Sequence, residues 1–217
     1  LTLLGIGAMA SPRYRPAGLL VEYASARVMI DGGPGACPAG RLDEWLVTDA
    51  LGELMPSIRR LARRRGVEPA VKRFGRGRLS IVPRRVVHTS HAAFGYLIRA
   101  PRRTVVWAPE FYRFPRWARS ADLMFAEAAG WSHPIRFAGG VGGHAAALDV
   151  ARSARRAKVK RLVFAHVGRP TIRALDAGAS LPFGELGKQS HVYCGGEERA
   201  RLTQVNTCAA AGVKVPA

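Results

Sequence analysis

Val28-Met29-Ile30-Asp31-Gly32-Gly33 is an apolar run that ends on a carboxylate and breaks at two glycines. A run of this kind reads as a buried strand, and the glycines turn the chain sharply after it. The pattern recurs along the chain. Thr48-Asp49 follows the apolar stretch Leu42–Val47, Glu110 follows Thr104–Trp107, His88 ends Val86–His88, and His166 follows Arg161–Ala165. His144 opens a helix behind Gly139-Gly140-Val141-Gly142-Gly143. Strand ends along one sheet edge hold polar side chains rigidly, so these residues are expected to converge. Three histidines and several carboxylates at element ends are a metal site in kind, although no local spacing carries it.

Outward from these points, Leu1–Ala8, Leu19–Glu22 and Arg27–Ile30 read as consecutive strands joined by turns at Ser11-Pro12-Arg13 and Pro16-Ala17-Gly18. Glu53–Arg65 reads as a helix with Leu54, Ile58 and Leu61 inward and Arg59, Arg60, Arg63 and Arg64 outward. Pro56 marks its first regular turn and Gly66 closes it. The middle is β-rich, with Leu79–Val82, Val86–His88, Gly95–Ile98 and Thr104–Trp107 as short strands. Ala145–Ala157 returns to helix. The alternation fits one α/β sandwich domain over residues 1–205, with a loose tail at 206–217.

The 217 residues carry 34 basic and 15 acidic side chains, a net charge of +19. Only five are Lys (Lys72, Lys158, Lys160, Lys188 and Lys214), so the excess is arginine. It points either to an anionic partner, nucleic acid included, or to an Arg-rich proteome. The 48% apolar content excludes wholesale disorder, and no apolar run is long enough to span a bilayer. Leu1–Ala10 ends in Ala-Met-Ala but has no basic segment ahead of it, so it reads as the first strand rather than a signal peptide. With Leu1 in place of an initiator methionine, the start is expected upstream. Cys37, Cys194 and Cys208 are odd in number and lack metal-ligand spacing, which argues for a reducing, cytoplasmic setting over a disulfide scaffold.

Six segments, in order, resemble the metallo-β-lactamase fold superfamily, in particular its branch of RNase Z and small phosphodiesterases. Val28–Gly33 looks like the family's strand ending in Asp. Val87-His88-Thr89-Ser90-His91-Ala92-Ala93-Phe94-Gly95-Tyr96 is similar to the segment that supplies a metal-binding His before Phe-Gly-Tyr. Val105–Glu110 stands where the family has a metal-bridging Asp. Asp122–Ala128 resembles the next strand with its Glu, Gly143-His144-Ala145 the His that this Glu supports, and Leu162–His166 the strand with the last metal His. The resemblance spans Leu1 to about Arg169 and implies a four-layer αββα sandwich.

The family's defining His-x-His-x-Asp-His is absent. Thr48-Asp49-Ala50-Leu51-Gly52-Glu53-Leu54 stands in its place, with Asp49 and Glu53 at ligand positions and Leu51 and Leu54 at two others. The resemblance then implies one metal position from Asp49, His88 and Glu110, and another from Glu53, Glu110 and His166. That oxygen-rich set shifts preference from Zn toward Mn or Fe, with one or two divalent ions bound. It further implies hydrolysis of a phosphodiester or related small ester by metal-activated water, with His144, oriented by Glu127, as general acid to the leaving alkoxide and Asp31 buttressing the ligand loop. The alternative is a degenerate family member whose two leucines close the site and whose basic cleft binds a ligand or nucleic acid without turnover. Pairing with an active paralogue, or a homodimer, is a further option.

Four other features stay open at this level. Gly139–Gly143 is either a phosphate cradle or a plain turn. His91 is expected outside the ligand set but within reach of substrate, while His133 and His191 read as surface histidines. Trp107, Phe111, Tyr112, Phe114 and Trp117, interleaved with Arg113, Arg116 and Arg119, suit either base stacking or core packing. Arg59–Arg85, opposed only by Glu68, is either a solvated face or a rim of the cleft. The interval from His88 to Glu110 is too short for the protruding arm of RNase Z, which favours a small anionic substrate over structured RNA.

Overall fold

The computed structural model describes residues 1–140 and 142–193. The tail expected at 206–217 and the domain end at 205 lie outside the described residues. The chain begins with strands β1 (Thr2–Gly5), β2 (Gly18–Tyr23), β3 (Ala26–Asp31) and β4 (Glu44–Leu46), followed by helix α1 (Met55–Arg63) and β5 (Pro69–Ala70). Then come β6 (Phe74–Arg76), β7 (Leu79–Val86), β8 (Ala93–Ala100), β9 (Arg103–Ala108) and β10 (Leu123–Ala128). The last part holds β11 (Ile135–Arg136), β12 (Gly143–His144), α2 (Ala147–Arg156), β13 (Arg161–Val167), α3 (Arg169–Asp176), β14 (Glu185–Leu186) and β15 (His191–Val192).

Two mixed sheets result, in the orders β15-β1-β2-β3-β4-β5 and β14-β13-β10-β9-β8-β7-β6. Strand alternation decides the layering. In β2 and β3, Leu19, Val21, Val28 and Ile30 join the large core shared with the second sheet. Their alternates Leu20 and Met29 pack with Trp45, Met55, Ile58 and Ala62 under α1. The first sheet is thus covered on both faces, which is why its central strands read as continuous apolar runs. On the far side, α2 buries Ala147, Val150, Ala151 and Ala154 against β10 and β13. The order of layers is therefore helix, sheet, sheet, helix. No helix among the described residues is long and apolar enough to cross a membrane.

The structure departs from the sequence expectations in several places. β1 stops at Gly5 rather than Ala8, because Gly5 and Gly7 let the carbonyls of Arg15, Pro16 and Tyr14 approach too closely for a side chain. Leu79–Val86 is one strand, not two split at Pro83: β6 pairs β7 only from Leu79 to Ile81, so Pro83 lies where one side of β7 has no strand to bond. Helix α3 was not expected; Pro170 in its first turn is the signal, since proline fits where no backbone N–H is needed. α1 and α2 start two residues later than their apolar periodicity suggested, and Pro56 does lie in the first turn of α1.

Candidate active site

The two sheets meet along one edge, and loops there are tied by backbone bonds across the sandwich. Val167 N–H donates to Ile6 O at 2.6 Å, Ala8 N–H to Val167 O at 3.1 Å, and Phe94 N–H to Thr48 O at 2.9 Å. A cavity of about 350 Å³ opens at this edge. Asp31, Asp49, Glu53, His88, Glu110, His144 and His166 all line it. Glu127 does not; it is fully buried behind His144.

Glu110 is the centre of the arrangement. Its Oε2 lies 2.9 Å from His88 Nε2 and its Oε1 lies 3.1 Å from His166 Nδ1. Burial alone would raise the Glu110 carboxyl, but the charge of His166 and the hydrogen bond from His88 outweigh it and hold it at about 2. Burial likewise opposes the charge on His88, yet Glu110 lifts that imidazole to about 9. On His166 burial prevails and the pKa falls. The other ring nitrogen of His88, Nδ1, lies 2.9 Å from Gly143 O, while Gly143 N–H donates to His88 O at 2.8 Å. Both His88 nitrogens therefore face acceptors, an arrangement that only the imidazolium satisfies.

The glycine run is what allows this contact. A Cβ at Gly142 would overlap the His88 carbonyl oxygen and one at Gly143 the Ile135 carbonyl oxygen, and both glycines have positive φ. Gly142-Gly143 is thus neither a phosphate cradle nor a free turn; it is a close backbone packing that seats His88 and His144 side by side, with ring centroids 4.8 Å apart.

His144 is oriented from behind. Its Nδ1 lies 2.8 Å from Glu127 Oε2, which also accepts Phe111 N–H at 3.1 Å, while Oε1 accepts Ala129 N–H at 2.9 Å. Burial disfavours the His144 cation, but the Glu127 charge and hydrogen bond raise its pKa overall. A β-bulge aims these groups: the β10–β13 register slips between Ala126 and Ala128, and His166 takes a φ of +72°. Bulges of this kind re-aim side chains beside active sites. Positive φ recurs at Asp31, +53°, where the strand ends. Asp31 accepts Thr48 N–H at 2.7 Å, Thr48 Oγ1 at 3.0 Å and Trp107 Nε1 at 2.7 Å. Burial pushes its carboxyl up to about 7, against the pull of the Trp107 and Thr48 donors. It binds the sheets together at the start of the loop that carries Asp49.

That loop differs from the expected ligand geometry. The sequence paired Asp49 with His88 and Glu110, and Glu53 with Glu110 and His166. Among the described residues, neither trio brings its donor atoms within 4.8 Å of one another; the group that does is Glu127, His144 and His166. The reason is local. His91 Nε2 sits 2.9 and 2.8 Å from the two Asp49 oxygens, and Leu51 N–H donates to Oδ1 at 2.8 Å, so the Asp49 carboxylate is already engaged. Glu53 is exposed just ahead of α1. Glu127 in turn has both oxygens committed to backbone N–H groups and His144, which suits a group that orients rather than one that ligates. Leu51 and Leu54 do not plug the cavity: Leu51 is 71% exposed at its rim and Leu54 packs at the head of α1.

The basic run does not rim the cavity either. Among the described residues no Lys or Arg lines it. Arg59, Arg60, Arg63 and Arg64 face solvent while Met55 and Ile58 of the same helix face inward to the cavity wall. Trp107, Phe111 and Trp45 are core residues, fully buried, with Trp107 doubling as a hydrogen-bond donor to Asp31.

No family model and no curated protein matches the sequence. Solved structures do. The metallo-β-lactamase fold protein YhfI from Bacillus subtilis superposes with a TM-score of 0.68 at 16% identity, covering 88% of this chain and 98% of that one. The chain has the metallo-β-lactamase fold. A diphosphatase of the PhnP family aligns with a TM-score of 0.64 at 16% identity, over 88% of this chain and 94% of that one. The short form of human tRNase Z aligns at 0.56 and 14% identity, over 77% and 92%. In metallo-β-lactamase folds as in other sandwiches, the shared architecture positions a site without naming its substrate.

Proposed function

We propose that this chain is a metal-dependent hydrolase of small esters, phosphodiesters among them. The observation that carries the reading is the Glu110 carboxylate held between His88 and His166 in an open cavity, with a carboxylate-oriented His144 stacked on His166 at 5.2 Å. The chemistry of the donors suits a divalent cation, which would compete for the proton that His88 Nε2 directs at Glu110 while Nδ1 stays fixed on Gly143 O, although His88, Glu110 and His166 do not bring their donor atoms within the 4.8 Å spacing that Glu127, His144 and His166 meet. His88, Glu110 and His166 would hold it, and two imidazoles with a carboxylate suit Zn, Mn or Fe. A cation held there would supply a nucleophile at neutral pH, by bringing the pKa of bound water toward about 7.

The remaining roles fall to side chains. His144, pinned through Nδ1 by Glu127, keeps Nε2 for the leaving oxygen and donates the proton that the departing alkoxide needs. Asp31 keeps the Thr48–Asp49 loop against Trp107, so the cavity wall holds its shape. Three of the fold neighbours are themselves named hydrolases: the diphosphatase, tRNase Z and an isothiocyanate hydrolase from Delia radicum gut bacteria, the last at TM-score 0.54 and 13% identity over 88% of this chain and 98% of that one. Their names support hydrolysis in general.

The test is elemental analysis of untagged protein purified without chelator, followed by assay on bis(p-nitrophenyl) phosphate. We expect about one equivalent or more of Mn, Fe or Zn, lost together with turnover in His88→Ala and His166→Ala. A folded protein that holds no metal and takes up none when it is added overturns the reading.

A further inference from the structure

A chain with 34 basic residues has, among its described residues, none of them in the wall of its main cavity. Carboxylates and imidazoles, with Thr48 and Thr89, form the polar side chains of that wall, and a cation on Glu110 would answer only a charge at the reacting centre. A second negative charge on the substrate would meet Asp49, which His91 already engages, and Glu53, with no Lys or Arg among the described residues that line the cavity. At the same time, large apolar side chains stand out in water at the mouth. Leu51 is 71% and Met9 50% exposed, on separate loops, and both line the cavity, as do Phe137 and Ile58. Lone exposed apolar residues are ordinary on protein surfaces, but two that converge on one opening with apolar wall behind them are the mark of a ligand-binding patch.

Building on the hydrolase reading, we propose that the substrate is an ester carrying at most one negative charge at its reacting centre and an apolar substituent that packs against Met9 and Leu51. The basic surface is not part of its recognition. Covering apolar surface strengthens binding by about fourfold per methylene removed from water, so a substituent the size of a phenyl ring should dominate the affinity.

The experiment uses phosphinates, whose P–C bonds are not hydrolysed, so that binding is read apart from turnover. Calorimetric titration of the protein as purified compares dimethylphosphinate, diphenylphosphinate and the dianion phenylphosphonate. Diphenylphosphinate is expected to bind at least about tenfold more tightly than dimethylphosphinate, with phenylphosphonate weaker than diphenylphosphinate. The Met9→Ser/Leu51→Ser variant, altered only at exposed positions, should lose most of that advantage. Equal affinity for the two phosphinates, tightest binding of the dianion, or an unaltered preference in the rim variant overturns the proposal. If the preference holds while no ester is turned over by metal-loaded protein, the ligand class stands and the hydrolase reading falls.

Discussion

Replacing Glu127 by Gln tests how the site is built, because the two side chains have the same shape and differ in one donor. Each Glu127 oxygen accepts a buried backbone N–H, from Ala129 at Oε1 and Phe111 at Oε2, and Oε2 also meets His144 Nδ1. A glutamine has only one oxygen. Whichever way its amide turns, its NH2 points at one of those backbone N–H groups, and that group is left buried without an acceptor. Such a loss costs about 1–3 kcal/mol, and the weakened bond to His144 adds roughly 1 more. For a domain of this size each kcal/mol lowers the melting temperature by about 2–4 °C, so the expected drop is about 5–15 °C. The pH dependence has a definite sign. His144 is raised by Glu127, so the pair stabilises the fold fully below about 6.5 and loses this contribution as pH rises through the raised value. The gap between native protein and Glu127→Gln should therefore be widest near pH 6 and narrow as the pH rises through the raised His144 value, and the His144 imidazole should titrate lower in the variant. Scanning calorimetry and ¹⁵N-detected histidine NMR on chelator-treated protein measure both. A melting temperature within about 2 °C of native, together with an unmoved His144 titration, would refute the account of Glu127 as the anchor of that ring.

Gly143→Ala should unfold the protein or cost it metal uptake, since its Cβ would overlap the Ile135 carbonyl at a φ of +146°; native melting with native metal content would show that the glycine contact does not set His88 and His144. Trp107→Phe keeps the buried ring but removes the 2.7 Å donor to Asp31, with an expected loss of about 1.5–3 kcal/mol in urea titration; a change under about 0.5 kcal/mol contradicts that role. On the proposed role of His88 as a ligand, metal binding displaces its proton, held to about pH 9 by Glu110, so uptake should release protons and the apparent affinity should rise with pH up to that value; titrations in buffers of different ionisation enthalpy count the protons, and affinity flat from pH 6 to 9 excludes His88 as a ligand.

Much of the fold was legible in the residues themselves. The buried strands of the first sheet announce themselves because they are covered on both faces, and the two amphipathic helices because each has one dry side. The polar strand ends at Asp31, Thr48, His88, Glu110 and His166 were legible too, since a side chain that closes an apolar run at a sheet edge has nowhere to go but the opening there. The positions of partners were not legible. That His91 takes up Asp49 depends on two loops forty residues apart meeting across the sandwich, and no local spacing records the meeting. The tightness around Gly142 and Gly143 is a property of backbone approach, visible in sequence only as a surplus of glycine. The largest revision concerns charge. Composition counted an arginine excess, and the run from Arg59 to Arg85 stood close enough in sequence to the loop of Asp49 to suggest a basic cleft. Within α1, helical periodicity turned Arg59, Arg60 and Arg63 outward and set Met55 and Ile58 against the cavity instead. The residues by themselves determined an α/β sandwich and its polar strand ends, because burial and alternation are encoded locally, while the four-layer order and the missing ligand motif were read from the family resemblance. Which donors meet, which are already engaged, and that the cavity mouth is apolar were decided by tertiary structure alone, because contacts between distant loops exist only once the two sheets have packed.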